Sequence, residues 1–405
     1  MNILDHNAAA SEFGFLKAGE QPPDFDPYPL FHKLRSRHPV WHSDWGDWYV
    51  SDYDGVNAVF LNKNCTQFPP DERELVSRLN PNPAGVVPSF SNWLLFLDPP
   101  RHTIMRRMLM RLARGVSLNR LKALIDSVCD QLITEQCVDG SCEFVSRVAK
   151  ILPVSVICKI LAIPECDRHL ITLWTNSLKR GFDVGLNHLS HEEMALLDDM
   201  HAYFLSIIEN RSWRQSIAHS ELGAYVETFP KDEVAANLAM LAFAGHETTV
   251  HLISNMFFIL SQNPEIWQQL RASPDLTANV VNETLRYQSP VQKICRMNRC
   301  PIELEGKQIP EGEMLVLLLG AANRDPRHFH DPDKFDPFRM DNKHIAFGVG
   351  AHRCLGDSLA LLEANTMLST VLRHWRTIDA DPASAHWIPN SSLRGLDRFD
   401  IKWTV

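Results

Sequence analysis

The chain lacks several things, and each absence removes a class of protein. Its nine cysteines are odd in number, scattered and free of any C-x-x-C pair, so neither a disulfide framework nor a cysteine-rich zinc site organises it. Apolar runs such as Leu238–Gly245 and Met314–Leu319 fall far short of the roughly 20 residues that cross a bilayer. The start, Met1-Asn2-Ile3-Leu4-Asp5-His6, has neither the basic nor the apolar region of a signal peptide, and a cytoplasmic protein is expected. An excess of positive charge is also missing: 40 Lys and Arg face 49 Asp and Glu, for a net charge of -9, whereas a general nucleic-acid surface needs the reverse. Repeats and flexible linkers are absent, and 45% hydrophobic with 22% charged residues excludes disorder as the main state. Residues 1–405 are therefore read as a single domain.

What is present is mostly helical pattern. Trp41 to Tyr49, broken at Asp44-Trp45-Gly46-Asp47, reads as a β-hairpin. Asp98 before Pro99 reads as an N-cap with proline at the first helical position, opening a helix to about Arg114. Ser190-x-x-Glu193 is a capping box for a helix toward Glu209. Asp232 to Leu260 is apolar on nearly all sides, as a buried helix would be. Helical spacing continues from Asn263 to Tyr287, short strands fill Ile302 to Leu319, and a last helix spans about Leu355 to Arg373. The expected class is mainly α with small β-sheets.

Three constellations carry chemistry. In Phe347-Gly348-Val349-Gly350-Ala351-His352-Arg353-Cys354-Leu355-Gly356, a cysteine sits where a glycine-rich loop meets a helix N-terminus. That end favours a thiolate and hence a soft metal ligand, while a glycine turn around a buried cysteine suits the same residues. A dinucleotide fingerprint is excluded, because Arg353 holds its third glycine position. Glu283 and Arg286, three apart on one helix face, make either a solvated ion pair or part of a larger network. Ala244-Gly245-His246-Glu247-Thr248-Thr249 lies in the middle of the long helix, where small residues and a threonine bonding back four residues open a groove or serve a helix–helix contact.

Together these motifs resemble the cytochrome P450 monooxygenases, in their bacterial soluble form, over nearly the whole chain. The family's haem loop, F-x-x-G-x-x-x-C-x-G, is matched at Phe347, Gly350, Cys354 and Gly356. The resemblance implies the P450 fold, with haem b (iron protoporphyrin IX) between the long central helix and the cysteine-loop helix and Cys354 as iron ligand. It implies that Glu283 and Arg286 join Arg339 in a buried network behind the haem. It implies that Thr248 and Glu247 supply protons during oxygen activation, with Ala244 at the haem face, and that His102, Arg106, Arg296 and His352 hold the propionates. The activity implied is insertion of one atom of O2 into a substrate by hydroxylation or epoxidation, in bacterial secondary metabolism. A peroxide-using peroxygenase and a haem-free helper subunit are the alternatives; the first usually lacks the acid–threonine pair, the second the cysteine.

Electrons are expected from a separate ferredoxin and its reductase. Arg101, Arg106, Arg107, Arg111 and Arg114, with Arg353, supply a local basic face for an acidic partner. By the family's pattern the substrate pocket takes Phe90, Leu95, Met240, Phe243, Ala244, Gln292, Ile294 and Leu393, which suits a medium-sized, mainly apolar molecule. Lys293 is expected to point to solvent.

Overall fold

A computed structural model of the chain describes residues 13–16, 21–22, 24–67, 90–184 and 189–405. Helices dominate it. The longest, Lys231–Ser261, packs against helices Ile151–Leu161, Arg168–Val184, His191–Glu209, Thr277–Tyr287 and Asp357–His374. A helix with neighbours on so many sides needs apolar residues all round, which is why its sequence shows no polar stripe. Among the described residues the strands are β1 (Val40–His42), β2 (Trp48–Val50), β3 (Cys65–Thr66), β4 (Ser141–Glu143), β5 (Lys293–Asn298), β6 (Ile302–Leu304), β7 (Lys307–Ile309), β8 (Met314–Leu318), β9 (Thr377–Asp379), β10 (His386–Trp387), β11 (Leu396–Arg398) and β12 (Asp400–Thr404).

The largest sheet has the order β1-β2-β8-β5-β3, and a second runs β4-β12-β9. Alternation along β8 sends Leu315 and Leu317 to a cluster with Val50, Val56 and Phe329, and Val316 and Leu318 to another with Phe31, Leu34 and Trp41. Burial on both faces explains why this strand reads as an unbroken apolar run. The first hairpin forms as expected, with Trp41 opposite Tyr49. The β6–β7 hairpin turns on Glu305 and Gly306, both at positive φ, the geometry that a tight two-residue turn requires.

The capping box is present in full: Ser190 Oγ accepts from Glu193 N at 3.2 Å and Glu193 Oε2 from Ser190 N at 2.8 Å. Two boundaries differ from expectation. The helix after Asp98 is Arg101–Gly115, with Pro100 rather than Asp98 flanking its start. The Asp98 carboxylate instead accepts from Gln67 N at 3.2 Å, tying the helix to a distant segment. The run from Asn263 to Tyr287 divides into Pro264–Ala272 and Thr277–Tyr287, because Ser273 before Pro274 is steered out of helical conformation.

Candidate functional site

The cysteine loop is folded on itself before the helix Asp357–His374 begins. Cys354 N donates to Phe347 O at 2.8 Å and Arg353 N to Gly350 O at 3.2 Å. Gly350 has φ +76, and a Cβ there would sit 3.2 Å from Phe60 O, so only glycine fits. Cys354 is exposed, with Gly356, its second neighbour, flanking the helix start. Burial among protein atoms nevertheless pushes its thiol up, against the downward pull of the Gly356 N–H, Arg106 and Arg353, while Asp357 adds to the rise. Burial and the Gly356 N–H at the helix start therefore pull this thiol in opposite directions.

Behind this loop Glu283 and Arg286 are fully buried. Arg286 donates to both Glu283 oxygens at 2.8 Å and to the carbonyls of Pro332, Lys334 and Asn323 at 2.8, 3.0 and 3.1 Å. Glu283 also accepts from Asp336 N at 2.9 Å, Asn342 at 3.1 Å and Arg339 Nε, 3.4 Å from its Oε2. The same array reaches the loop through Asn323, whose Oδ1 accepts from Ile345 N at 2.8 Å.

On the long helix Ala244 is exposed although Ala242, His246 and Glu247 are buried, so a small residue marks an open stretch of an otherwise enclosed helix. Thr248 Oγ1 donates to Ala244 O at 3.0 Å while the helix continues unbroken. Glu247 sits among basic groups: Lys179 Nζ at 3.4 Å, His251 Nε2 at 3.5 Å and His246 Nδ1 at 3.8 Å. Burial raises its pKa, but Lys179, His251, His246 and Lys150 together outweigh this and hold it down at about 2. Neither ring nitrogen of His251 has a hydrogen-bond partner, nor has His246 Nε2.

His102, Arg106, Arg296 and His352 come together. The His102 and His352 rings are 4.0 Å apart, and Arg106 donates to Arg353 O at 2.6 Å. Burial first, then the positive charge of His102, Arg296 and Arg106, lowers His352 to about 3. Burial and Arg106 lower His102 to about 4, and its buried Nε2 has no hydrogen-bond partner. Arg296 is buried, bonded to Gln67 Oε1 at 2.9 Å and lying over the Phe60 ring.

The aromatic wall is larger than the sequence reading. Phe90 meets Trp93 at 4.6 Å, Trp93 stacks on Phe96 at 6.1 Å, Phe96 on Phe182 at 5.9 Å, and Phe182 on Phe243 at 5.1 Å. Trp93, Phe96 and Phe182 were missed; the aromatic density of Phe90 to Phe96 was a usable signal, whereas Phe182 on a separate helix had none. Asn237 pins this segment to the long helix, accepting from Leu94 N at 2.9 Å and donating to Asn92 O at 2.8 Å. Met240 is buried, Leu95 is 41% exposed, and Leu393 bridges to Val291. Ile294 packs with the cluster under β8.

Three readings are corrected. Gln292 is buried, and its Nε2 donates to Tyr28 OH at 3.2 Å and Ser289 O at 2.6 Å, so its amide nitrogen is used inside the fold while its Oε1 has no hydrogen-bond partner. Lys293 does not reach into solvent; its Nζ donates to Leu16 O at 3.2 Å and burial lowers its pKa. Arg101 leaves the basic face to bond Asn92 at 2.6 Å and Glu233 at 3.0 Å. Arg107, Arg111 and Arg353 are exposed, and the side chain of Arg114 lies outside the described residues.

Among the described residues no helix is long and apolar enough to cross a membrane. The cytochrome P450 sequence model matches residues 204–385. The cytochrome P450 monooxygenase PikC of Streptomyces venezuelae is 32% identical, covering 96% of this chain and 94% of that protein. P450BioI, solved with a hexadec-9Z-enoic acid-ligated acyl carrier protein, superposes with a TM-score of 0.83 at 30% identity, over 94% of this chain and 99% of that one. CxnD, a P450 for C–S bond formation in chuangxinmycin biosynthesis, has a TM-score of 0.82 at 28% identity, covering 94% of each chain. With its thiol loop, its buried glutamate–arginine network and these relatives, the chain belongs to the cytochrome P450 family and is a bacterial haem b monooxygenase.

Proposed function

We propose that this monooxygenase inserts one oxygen atom from O2 into a medium-sized, mainly apolar substrate of secondary metabolism, with electrons from a ferredoxin and its reductase. The observation that carries the substrate class is the stack of Trp93, Phe96, Phe182 and Phe243, an apolar wall drawn from three separate segments. The likeness to an enzyme of chuangxinmycin biosynthesis supports the metabolic setting.

The residues present fit haem b. The buried, unpartnered Nε2 of His102 and the cationic Arg106 and Arg296 are donors suited to propionates, and Ala244 keeps the long helix free of bulk where a flat ligand lies. Cys354 would hold the iron through its sulfur, since metal coordination deprotonates a thiol outright. Haem b, when bound, supplies O2 binding and, with two electrons and two protons, cleavage of the O–O bond.

This chain's own residues manage the protons. Thr248 spends its hydroxyl hydrogen on Ala244 O, so Oγ1 faces the groove as an acceptor and holds a water by its hydrogen. Glu247, ionised at neutral pH, takes up protons from the solvent side, where the partly exposed Lys179 reaches it. The presence of both residues favours this reading over a peroxygenase, and Cys354 favours it over a haem-free helper.

The test is a spin-state titration of the haem-loaded protein against a compound library, followed by product analysis with NADH, ferredoxin and reductase. Apolar compounds of medium size should shift the haem spin state and yield oxygenated product. Tight binding of small, highly charged ligands in their place would overturn the substrate class.

A further inference from the structure

Away from the haem face, two thiols confront each other. Cys137 follows the helix Leu118–Gln136 and Cys142 is the middle residue of β4, with their buried sulfurs 3.7 Å apart. Backbone contacts hold this approach in place. Cys142 pairs with Ile401 of β12, and Gly140, at φ +73, accepts from Trp403 N at 3.0 Å. The turn between the thiols lies at the surface: Val138, Asp139 and Ser141 are exposed, and each cysteine keeps 7% of its own surface exposed.

Either sulfur can be the donor in this contact: the hydrogen bond lowers the pKa of the thiol that accepts it and raises that of the thiol that gives it, burial raises both, and the Arg147 cation lowers both. With Cys137 as the nucleophile Cys142 is the resolving thiol, and the reverse order gives the same disulfide.

We propose that Cys137 and Cys142 form a modification site, a dithiol that hydrogen peroxide converts into a reversible intramolecular disulfide. The Cys137 thiolate attacks one peroxide oxygen, the O–O bond breaks, and the departing hydroxide takes a proton and leaves as water. Cys137 is then a sulfenic acid. The Cys142 sulfur loses its proton as it attacks the Cys137 sulfur, the S–S bond forms, and the sulfenic oxygen leaves as a second water. One peroxide and two thiols give one disulfide and two waters. The oxidant is the by-product of any monooxygenase cycle that consumes reducing equivalents without making product, so the site senses the enzyme's own leakage. Disulfide formation shortens the 3.7 Å separation to a bond of about 2.05 Å.

The experiment uses the haem-loaded full chain and a peroxide dose that leaves the Soret band intact. Free thiols are alkylated, the protein is digested, and the peptides are weighed before and after reduction. Two of the nine thiols should become resistant to alkylation, in one peptide that carries both cysteines and regains them on reduction. Exposed Cys166 serves as the internal reference for unselective oxidation. With Cys142→Ser or Cys137→Ser, the remaining thiol should stop at a sulfenic acid that dimedone traps, and no linked peptide should form. The proposal is overturned if both thiols remain alkylatable at a dose that oxidises Cys166, or if wild-type Cys137 accumulates as sulfinic acid without the linked peptide.

Discussion

Two buried glutamates, Glu283 and Glu247, sit on helices beside basic groups and are held in opposite ways. Glu283 receives hydrogen bonds from Arg286, Asp336 N and Asn342 at 2.8 to 3.1 Å, with Arg339 just beyond. Glu247 has three basic neighbours, none nearer than 3.4 Å, and two of them are histidines: both ring nitrogens of His251 and Nε2 of His246 lack a hydrogen-bond partner, while His246 Nδ1 meets Thr175 Oγ1 at 3.3 Å. A saturated carboxylate is fixed in place and in charge. A loosely held one keeps its charge by summed attraction but is free to change contacts, which is what a proton carrier needs.

Mutations that strip each glutamate of its neighbours sharpen the contrast. The largest effect is expected from Arg286→Ala, which leaves Glu283 charged, buried and short of its main partner. About 3–5 kcal/mol of stability should be lost, together with haem retention, as read by denaturant unfolding and by the absorbance of the reduced carbon monoxide complex. A variant that unfolds like wild type would mean that Asn342, Asp336 and Arg339 suffice.

Next come the distal substitutions, which should spare the fold. Glu247→Gln is expected to lower turnover on the order of 100-fold or more, as when a general acid–base group is lost, with milder peroxide release. Thr248→Ala should leave Cys354 ligation and substrate binding unchanged while product per NADH falls and hydrogen peroxide rises. Unchanged coupling in that variant would remove Thr248 from the proton path.

Acid stability gives a smaller contrast. Burial holds His344 and His251 at about 4, helped by the Arg353 and Arg286 charges for the first and despite the favourable Glu247 charge for the second. Both are neutral in the fold, whereas the unfolded chain takes up protons below about 6.5. Their contribution is complete above pH 6.5 and drains away as pH falls toward 4. Glu247, ordinarily near 4.5 and here at about 2, contributes in full above 4.5 and loses its share between 4.5 and 2. Denaturant midpoints measured from pH 7 to pH 4 should therefore decline before carboxylates titrate, and His251→Asn should flatten that upper part. A flat wild-type profile over this range would contradict the assignment.

The smallest effect concerns Arg107, exposed on the helix that carries the basic face. Arg107→Glu should slow reduction by ferredoxin severalfold and weaken its salt dependence in stopped-flow traces. An unchanged rate would move the docking surface elsewhere.

Legibility in the sequence followed the range of the interaction. The capping box at Ser190 and the loop glycines act over a few residues, so their spacing was enough to place them. β8 was visible as an apolar run, but its partners on both faces were not. At the site, short spacings were enough to single out Glu283 and Arg286, which meet Arg339 in a buried network, and Thr248, which bonds back to Ala244 O. Gln292 was not legible in this way, because the direction of its amide is set by Tyr28, 264 positions away. Phe182 went unread for the same reason: its stacking on Phe96 and Phe243 exists only once three separate segments meet. The surroundings of Glu247 depend on Lys179 from another helix, and no local pattern announces an ion pair of that span.

Asn237 has a consequence for how such an enzyme changes its diet. One amide sets the distance between the segment carrying Trp93 and Phe96 and the helix carrying Phe243, by bonding Asn92 O and Leu94 N together. The spacing of this aromatic wall is therefore adjustable from a position outside the wall: a change at residue 237 alone would alter how far Trp93 and Phe96 stand from Phe243, with every aromatic side chain kept.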